Sequence, residues 1–144
     1  MRRIASDLNL GSVIRWLGQV SLSALAAEYG RCDVFCLPSV QEGFGIVFLE
    51  AMAAGKPIVA ARAAAVPEVV RHSILAEPDN PEALAEAILR VYREPELRVS
   101  LSRAGLEDVE QFEMHRVAKR FLSEVRKIAP AINIEREYEF GPAS

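Results

Sequence analysis

The sequence predicts an α/β fold with a mainly parallel sheet flanked by helices, and three observations predict it. Short apolar runs at Val13–Leu17, Asp33–Leu37, Pro57–Ala61 and Ile74–Ala76 alternate with segments of helical periodicity. The run at Asp33–Leu37 is apolar on both faces, as a strand covered by helices on either side must be. At 144 residues, with 51% hydrophobic and 26% charged side chains, the chain is long enough to enclose one proper core and too short for two.

Residues 2–9 read as a short helix ending near Gly11, followed by the first strand, Val13–Leu17, closed by Gly18. Ser21 is placed to cap a helix over Leu22–Tyr29, whose Leu22, Leu25, Ala26 and Tyr29 share one face and which Gly30 stops. The second strand, Asp33–Leu37, ends at Pro38-Ser39. A helix follows, then the Gly55-Lys56-Pro57 turn and the third strand, Pro57–Ala61. Pro67 starts a short helix over Glu68–Arg71, and the fourth strand is Ile74–Ala76. Asp79 or Asn80 caps the next helix, with Pro81 and Glu82 in its first turn and a body over Ala83–Tyr92. Another helix begins near Pro95. Arg116–Ile128 forms the last, with Val117, Phe121, Leu122 and Val125 directed to the core. The domain is expected to span 1–130, and the tail, 131–144, alternates apolar and charged residues, as an exposed strand or an unstructured end does.

The stretch over residues 42–57, EGFGIVFLEAMAAGKP, holds most of the functional information. From Gly43 to Gly55 its one ionisable residue is Glu50, set among Ile46, Val47, Phe48, Leu49, Ala51 and Met52, so a helix here is expected to be apolar on every face and buried. A carboxylate enclosed in this way needs a partner or a proton. Upstream, Gly43 and Gly45 lack a Cβ and leave backbone N–H groups open to close approach. Donors at a helix N-terminus favour an anion such as a diphosphate. Ligands of parallel sheets bind outside the carboxyl ends of the strands, and both the loop at Gly43–Gly45 and the loop at Ala63–Pro67 lie on that edge. Each signal alone has a plain alternative: Glu42 as a solvated loop residue, the glycines as turn formers, Glu50 as an internal pair, Glu68 as an ordinary first-turn carboxylate. Their combination is what is specific.

With Glu42 and Glu50 in a Glu-x7-Glu arrangement, PSVQEGFGIVFLEAMAAGKPIVA closely resembles the donor-site signature of family-4-type retaining glycosyltransferases, which have two Rossmann-like domains and a GT-B fold. The resemblance runs from about Leu8 to about Ile128, through WLGQVSLSALAAEYGRCDVFCLPS, VPEVV and LAEPDNPEALAEAI. It implies that Glu50 holds the ribose of a nucleoside diphosphate sugar. It implies too that Glu42, the candidate catalytic residue, and Gly43, Phe44, Gly45 and Ile46 face the donor sugar and its phosphates. No metal and no cofactor is implied beside this donor substrate. The chain departs from the family at Ala64 and Ala65, where a Gly-Gly pair is usual, and alanine methyls there narrow the approach or exclude a positive φ. The loop after Arg71 is shortened to His72-Ser73.

The resemblance also implies that the chain is an N-terminally incomplete donor domain, lacking two strands whose Arg and Lys neutralise the diphosphate. In the strand order 3-2-1-4-5-6 those strands separate Val13–Leu17 from Asp33–Leu37, so the two remaining strands are expected to pack together, or the edge to be closed by a second copy or a partner chain. The alternative function is a non-catalytic α/β module that self-associates or binds a protein through that edge.

Composition excludes some partners. A net charge of −3 gives no reason to expect nucleic acid or an anionic membrane as the main partner, and no apolar run approaches the ~18 residues of a membrane span, so a cytoplasmic location is expected. Cys32 and Cys36 have no zinc-type spacing, His72 and His115 stand alone in sequence, and Cys36 is expected to be an inert, buried thiol.

Overall fold

The computed structural model describes residues 2–128. Its packing divides at the Cys32–Asp33 junction into two compact units.

The first unit holds helices α1 (Arg2–Asp7) and α2 (Leu22–Arg31). Ser21 caps α2, accepting from the Ala24 amide at 3.3 Å. The helix runs through Gly30 and closes only at Cys32, whose amide donates to the Glu28 carbonyl. Arg15 pairs with Glu28, and the Arg2 guanidinium lies 5.5 Å from the centre of the Trp16 ring. The strand expected at Val13–Leu17 does not form. The amides of Val13 and Ile14 both donate to the Leu10 carbonyl, each at 3.1 Å, which curls the chain into a turn after α1. Strand propensity is expressed only against a neighbouring strand, and Val13, exposed in this unit, has none among the described residues.

The second unit is built on a parallel sheet of order β1-β2-β3, with β1 at Phe35–Leu37, β2 at Ile58–Ala61 and β3 at Ile74–Ala76. Phe35 aligns with Ile58, and Val59 with Ile74. All four β2 residues are buried, because helices cover both faces of the central strand. Helix α3 (Ile46–Ala53) connects β1 to β2, and α4 (Val66–Val69) connects β2 to β3. Asn80 caps α5 (Pro81–Arg93), accepting from the Ala83 amide at 2.9 Å. Val59, Ala76, Ala87 and Val91 form the core between sheet and α5, with Leu84, Ile88 and Leu101 against it. Helix α6 (Pro95–Val109) packs on α3, with Gly105 buried beside Met52, where a Cβ would stand in ordinary contact 3.5 Å from the Met52 Cγ. His72 Nδ1 and Asp108 Oδ2, 2.7 Å apart, tie the turn after α4 to α6. A 3₁₀ turn, Glu110–Phe112, leads into α7 (Met114–Ile128). Val117 and Phe121, expected in the core, are exposed on α7, while Leu122 and Val125 are half-buried. The tail, 131–144, lies outside the described residues.

β1 is an edge of the sheet, and among the described residues no strand pairs with its outer side. Cys36, expected to be buried, is exposed there, since its neighbours Phe35 and Leu37 take the better covered face. Loss of hydration around its sulfur nevertheless pushes the thiol pKa up. A raised folded-state pKa gives a stability contribution complete below the ordinary thiol value of about 8.5 and lost as the pH climbs through the raised one. Alkylation of the native chain is therefore expected at Cys36, but more slowly near pH 8 than in the unfolded chain and still accelerating where the unfolded thiol has levelled off. Equal pH profiles for the two states would contradict this.

Candidate functional site

Because β1 and β2 are parallel neighbours, the loops that leave their carboxyl ends, 38–45 and 62–65, emerge at the same edge. The first carries Glu42, Gly43, Phe44 and Gly45 and runs directly into α3. Gly45 is the N-cap, with φ 70° and ψ 55°, and offers no side-chain acceptor to the first turn. Two constraints hold it as glycine: the left-handed backbone, and the Phe48 ring, whose Cδ2 stands 2.6 Å from where a Cβ is placed. Gly43 has nothing within 4 Å of such a position, so its backbone is open to a ligand. Phe44 is exposed but anchored edge-on to Phe112, ring centres 5.7 Å apart at 77°, so the 3₁₀ turn before α7 steadies the glycine loop.

Glu50 was expected inside an all-buried helix, and the structure corrects this. α3 buries only Phe48, Ala51 and Met52; Glu50 stands exposed, with Ile46 and Val47 one turn towards the N-terminus on the same side. The apolar sequence of α3 thus serves two surfaces, one packed on α6 and the sheet, the other open. Glu50 is not isolated, since it takes part in an interaction. Glu42 is half-buried in the loop. The edge therefore presents an open glycine backbone and a helix N-terminus, with Glu42 in the loop and Glu50 exposed farther along α3.

The second loop shows how alanine replaces glycine. Ala64 adopts φ 48°, in the left-handed region, so the methyl does not exclude a positive φ; Ala65, at φ −79°, begins α4. An L-residue held there costs about 1–2 kcal/mol. Ala64→Gly is expected to raise stability by about 1 kcal/mol net of glycine's added unfolded-state freedom, read as a higher denaturant midpoint; a lower midpoint would contradict the strain.

A cavity of about 300 Å³ lies at the same edge, lined by Pro38, Ala61, Ala76, Glu77, Pro78, Asp79, Asn80, Pro81 and Leu84. None of the six site residues named from sequence lines it. Sequence reasoning gave no site role to Glu77, Asp79 or Arg62, reading Asp79 only as a candidate helix cap, although each follows the carboxyl end of a strand. Arg62 Nε pairs with Glu77 Oε1 at 3.2 Å beside this opening. Among the described residues no three His, Cys, Asp or Glu side chains gather as a metal site.

The sequence family described as "Glycosyl transferases group 1" matches residues 1–108. The chain belongs to this family. Among curated relatives of this group 1 glycosyl transferase chain, a D-inositol 3-phosphate glycosyltransferase from Saccharomonospora viridis is 34% identical over 131 residues, covering 89% of this chain and 30% of that protein. A phosphatidyl-myo-inositol mannosyltransferase from Mycobacterium leprae is 37% identical over 120 residues, covering 81% of this chain and 32% of the relative. Among solved structures, sucrose-phosphate synthase from Thermosynechococcus elongatus superposes with a TM-score of 0.78 at 30% identity, over 91% of this chain and 34% of its own. The chain thus spans about a third of the proteins it matches. The fold is that of GT-B glycosyltransferases, and among the described residues no helix is long and apolar enough to cross a membrane.

Proposed function

We propose that this group 1 glycosyl transferase chain is the nucleotide-sugar-binding portion of a retaining hexosyltransferase, cytoplasmic and independent of metal. The observation that carries the reading is the Glu42–Gly45 loop at the carboxyl edge of the sheet, opening onto the N-terminus of α3 with Glu50 exposed farther along the same helix. The diphosphate of the donor sits against the loop backbone and the first turn of α3, where N–H dipoles meet the charge that develops as the glycosidic C–O bond breaks. Glu50, a charged acceptor, takes the ribose hydroxyls. Glu42 and Phe44 face the sugar. The names of the curated relatives support transfer of a hexosyl group to an acceptor hydroxyl.

Calorimetric titration with UDP, GDP and ADP tests this assignment. One nucleotide is expected to bind saturably, and Glu50→Ala to weaken it by at least ~1.5 kcal/mol, the scale of a hydrogen bond to a charged group. Unchanged affinity in Glu50→Ala would remove the ribose role.

A second reading draws on the sheet edge. β1 has no strand on its outer side among the described residues, and an open edge is a template for pairing, which favours a homodimer or a partner chain adding strands there. A chain that sediments as a monomer at all concentrations would count against self-association.

A further inference from the structure

The glycine loop in front of α3 is short of anchors of its own. Gly43 and Gly45 flank Phe44, and a loop with two glycines in three positions gives up much conformational freedom when it takes one shape. The helix does not supply a capping side chain to fix it either, since its N-cap is Gly45. On the inner side the loop turns against the buried Phe48 ring. On the outer side Phe44, though exposed, meets Phe112 edge-on, with ring centres 5.7 Å apart at 77°.

Phe112 belongs to a segment that follows α3 from its end to the loop before it. Leu106 lies beside Gly55, just past the helix; Gly105 lies beside Met52 in its last turn; and Phe112 reaches Phe44 ahead of its start. The second half of α6 and the 3₁₀ turn therefore form one brace along α3. The turn is held locally by main-chain bonds, the Glu113 amide donating to the Glu110 carbonyl at 3.2 Å and the Arg116 amide to the Glu113 carbonyl at 2.9 Å. Arg116 also pairs with Glu110 and Glu113, at 3.2 and 3.8 Å. Exposed pairs of that kind contribute little, so the main-chain bonds and the packing of α6 on α3 give the brace its stiffness.

We propose that Phe112 is a positioning residue of the donor site, holding the Glu42–Gly45 loop, through the Phe44 ring, in the shape in which its amides meet the donor diphosphate. An edge-on aromatic pair biases an equilibrium between loop shapes by about two- to tenfold. A ligand that binds one shape loses affinity in proportion to the fraction of chains that hold it. Phe112 thus sets affinity without touching the donor. The inference rests on the donor-site reading and extends it to a residue far from the motif.

The test has one arm without ligand and one with it, both on the full chain. The amide of Phe48, which donates to the Gly45 carbonyl at 2.9 Å, reports by hydrogen exchange whether the loop keeps its turn. Phe112→Ala is expected to speed that exchange about three- to tenfold, and Phe112→Tyr, which keeps the ring, to leave it unchanged. Phe44→Leu removes an exposed ring and spares the core, so the same acceleration is expected at Phe48 while Val59 in β2 keeps its rate. Adding Phe112→Ala to it is expected to accelerate Phe48 no further. In titrations with UDP, GDP and ADP, Phe112→Ala is expected to bind the preferred nucleotide at least about threefold more weakly than the parent, and Phe112→Tyr to match the parent. Unchanged Phe48 exchange or unchanged affinity in Phe112→Ala, or accelerations that multiply in the double variant, would overturn the proposal and leave the donor assignment standing. If Phe112→Ala does not fold, Phe44→Leu decides, and an unchanged Phe48 rate there would overturn it. A parent that binds none of the three nucleotides would overturn the donor assignment, and this use of the brace with it.

Discussion

Phe48→Ala is expected to destabilise the second unit by about 3–5 kcal/mol, the largest effect of any single substitution considered for this chain. Phe48 is fully buried on the inner side of α3 and meets Phe35 of β1 edge-on, ring centres 5.9 Å apart at 86°. Removing the ring leaves a cavity between the helix and the sheet edge, and it removes the wall against which the glycine loop turns. Stability of the whole chain on the usual scale of about 5–15 kcal/mol makes such a loss a large fraction of the total. Urea denaturation reads it directly as a lowered midpoint. A shift below about 1 kcal/mol would mean that α3 is not held on the sheet through this residue.

Gly45→Ala is the second large effect, and it couples to the first. The left-handed backbone at Gly45 costs an alanine about 1–2 kcal/mol. The new Cβ, 2.6 Å from Phe48 Cδ2, adds an overlap with a ring that full burial keeps from moving aside, for about 1–3 kcal/mol more. A total of about 2–5 kcal/mol is expected, together with loss of nucleotide binding, since the loop cannot keep its shape. The cycle with Phe48→Ala separates the two causes. In that background the ring is gone, and Gly45→Ala is expected to cost only the backbone share, so the two changes together destabilise less than their sum. Strict additivity would contradict the contact.

How much of this was legible in the sequence depends on what each residue faces. The strands at Pro57–Ala61 and Ile74–Ala76 and the helices beginning near Pro81 and Pro95 follow from apolar runs, proline at first turns and the Asn80 cap, all local signals that the packing did not overrule. The strand at Val13–Leu17 failed because a strand needs a neighbour, which composition cannot supply. Burial failed as a deduction for α3 and α7, and for one reason. Apolar residues on a helix report that something covers them, not that the same unit does. Ile46, Val47 and Phe121 are exposed in this chain, which spans about a third of its relatives' length. Cys36 went the same way, since an edge strand leaves one of its faces thinly covered. The place of the Glu42–Gly45 loop at the carboxyl edge of the sheet was readable from spacing and strand polarity. Unreadable were the Phe44–Phe112 contact, which joins residues far apart in sequence, and the cavity beside Glu77 and Asp79, whose acids look in sequence like a helix cap alone.

Amide hydrogen exchange, with and without a saturating nucleoside diphosphate, is the most direct test of where the donor binds. Protection of at least about tenfold is expected at Gly43–Val47, the loop and the first turn of α3, and none beyond background at Glu77–Asn80. Protection confined to Glu77–Asn80, or absent from both stretches, would contradict the assignment of the glycine loop as the donor site.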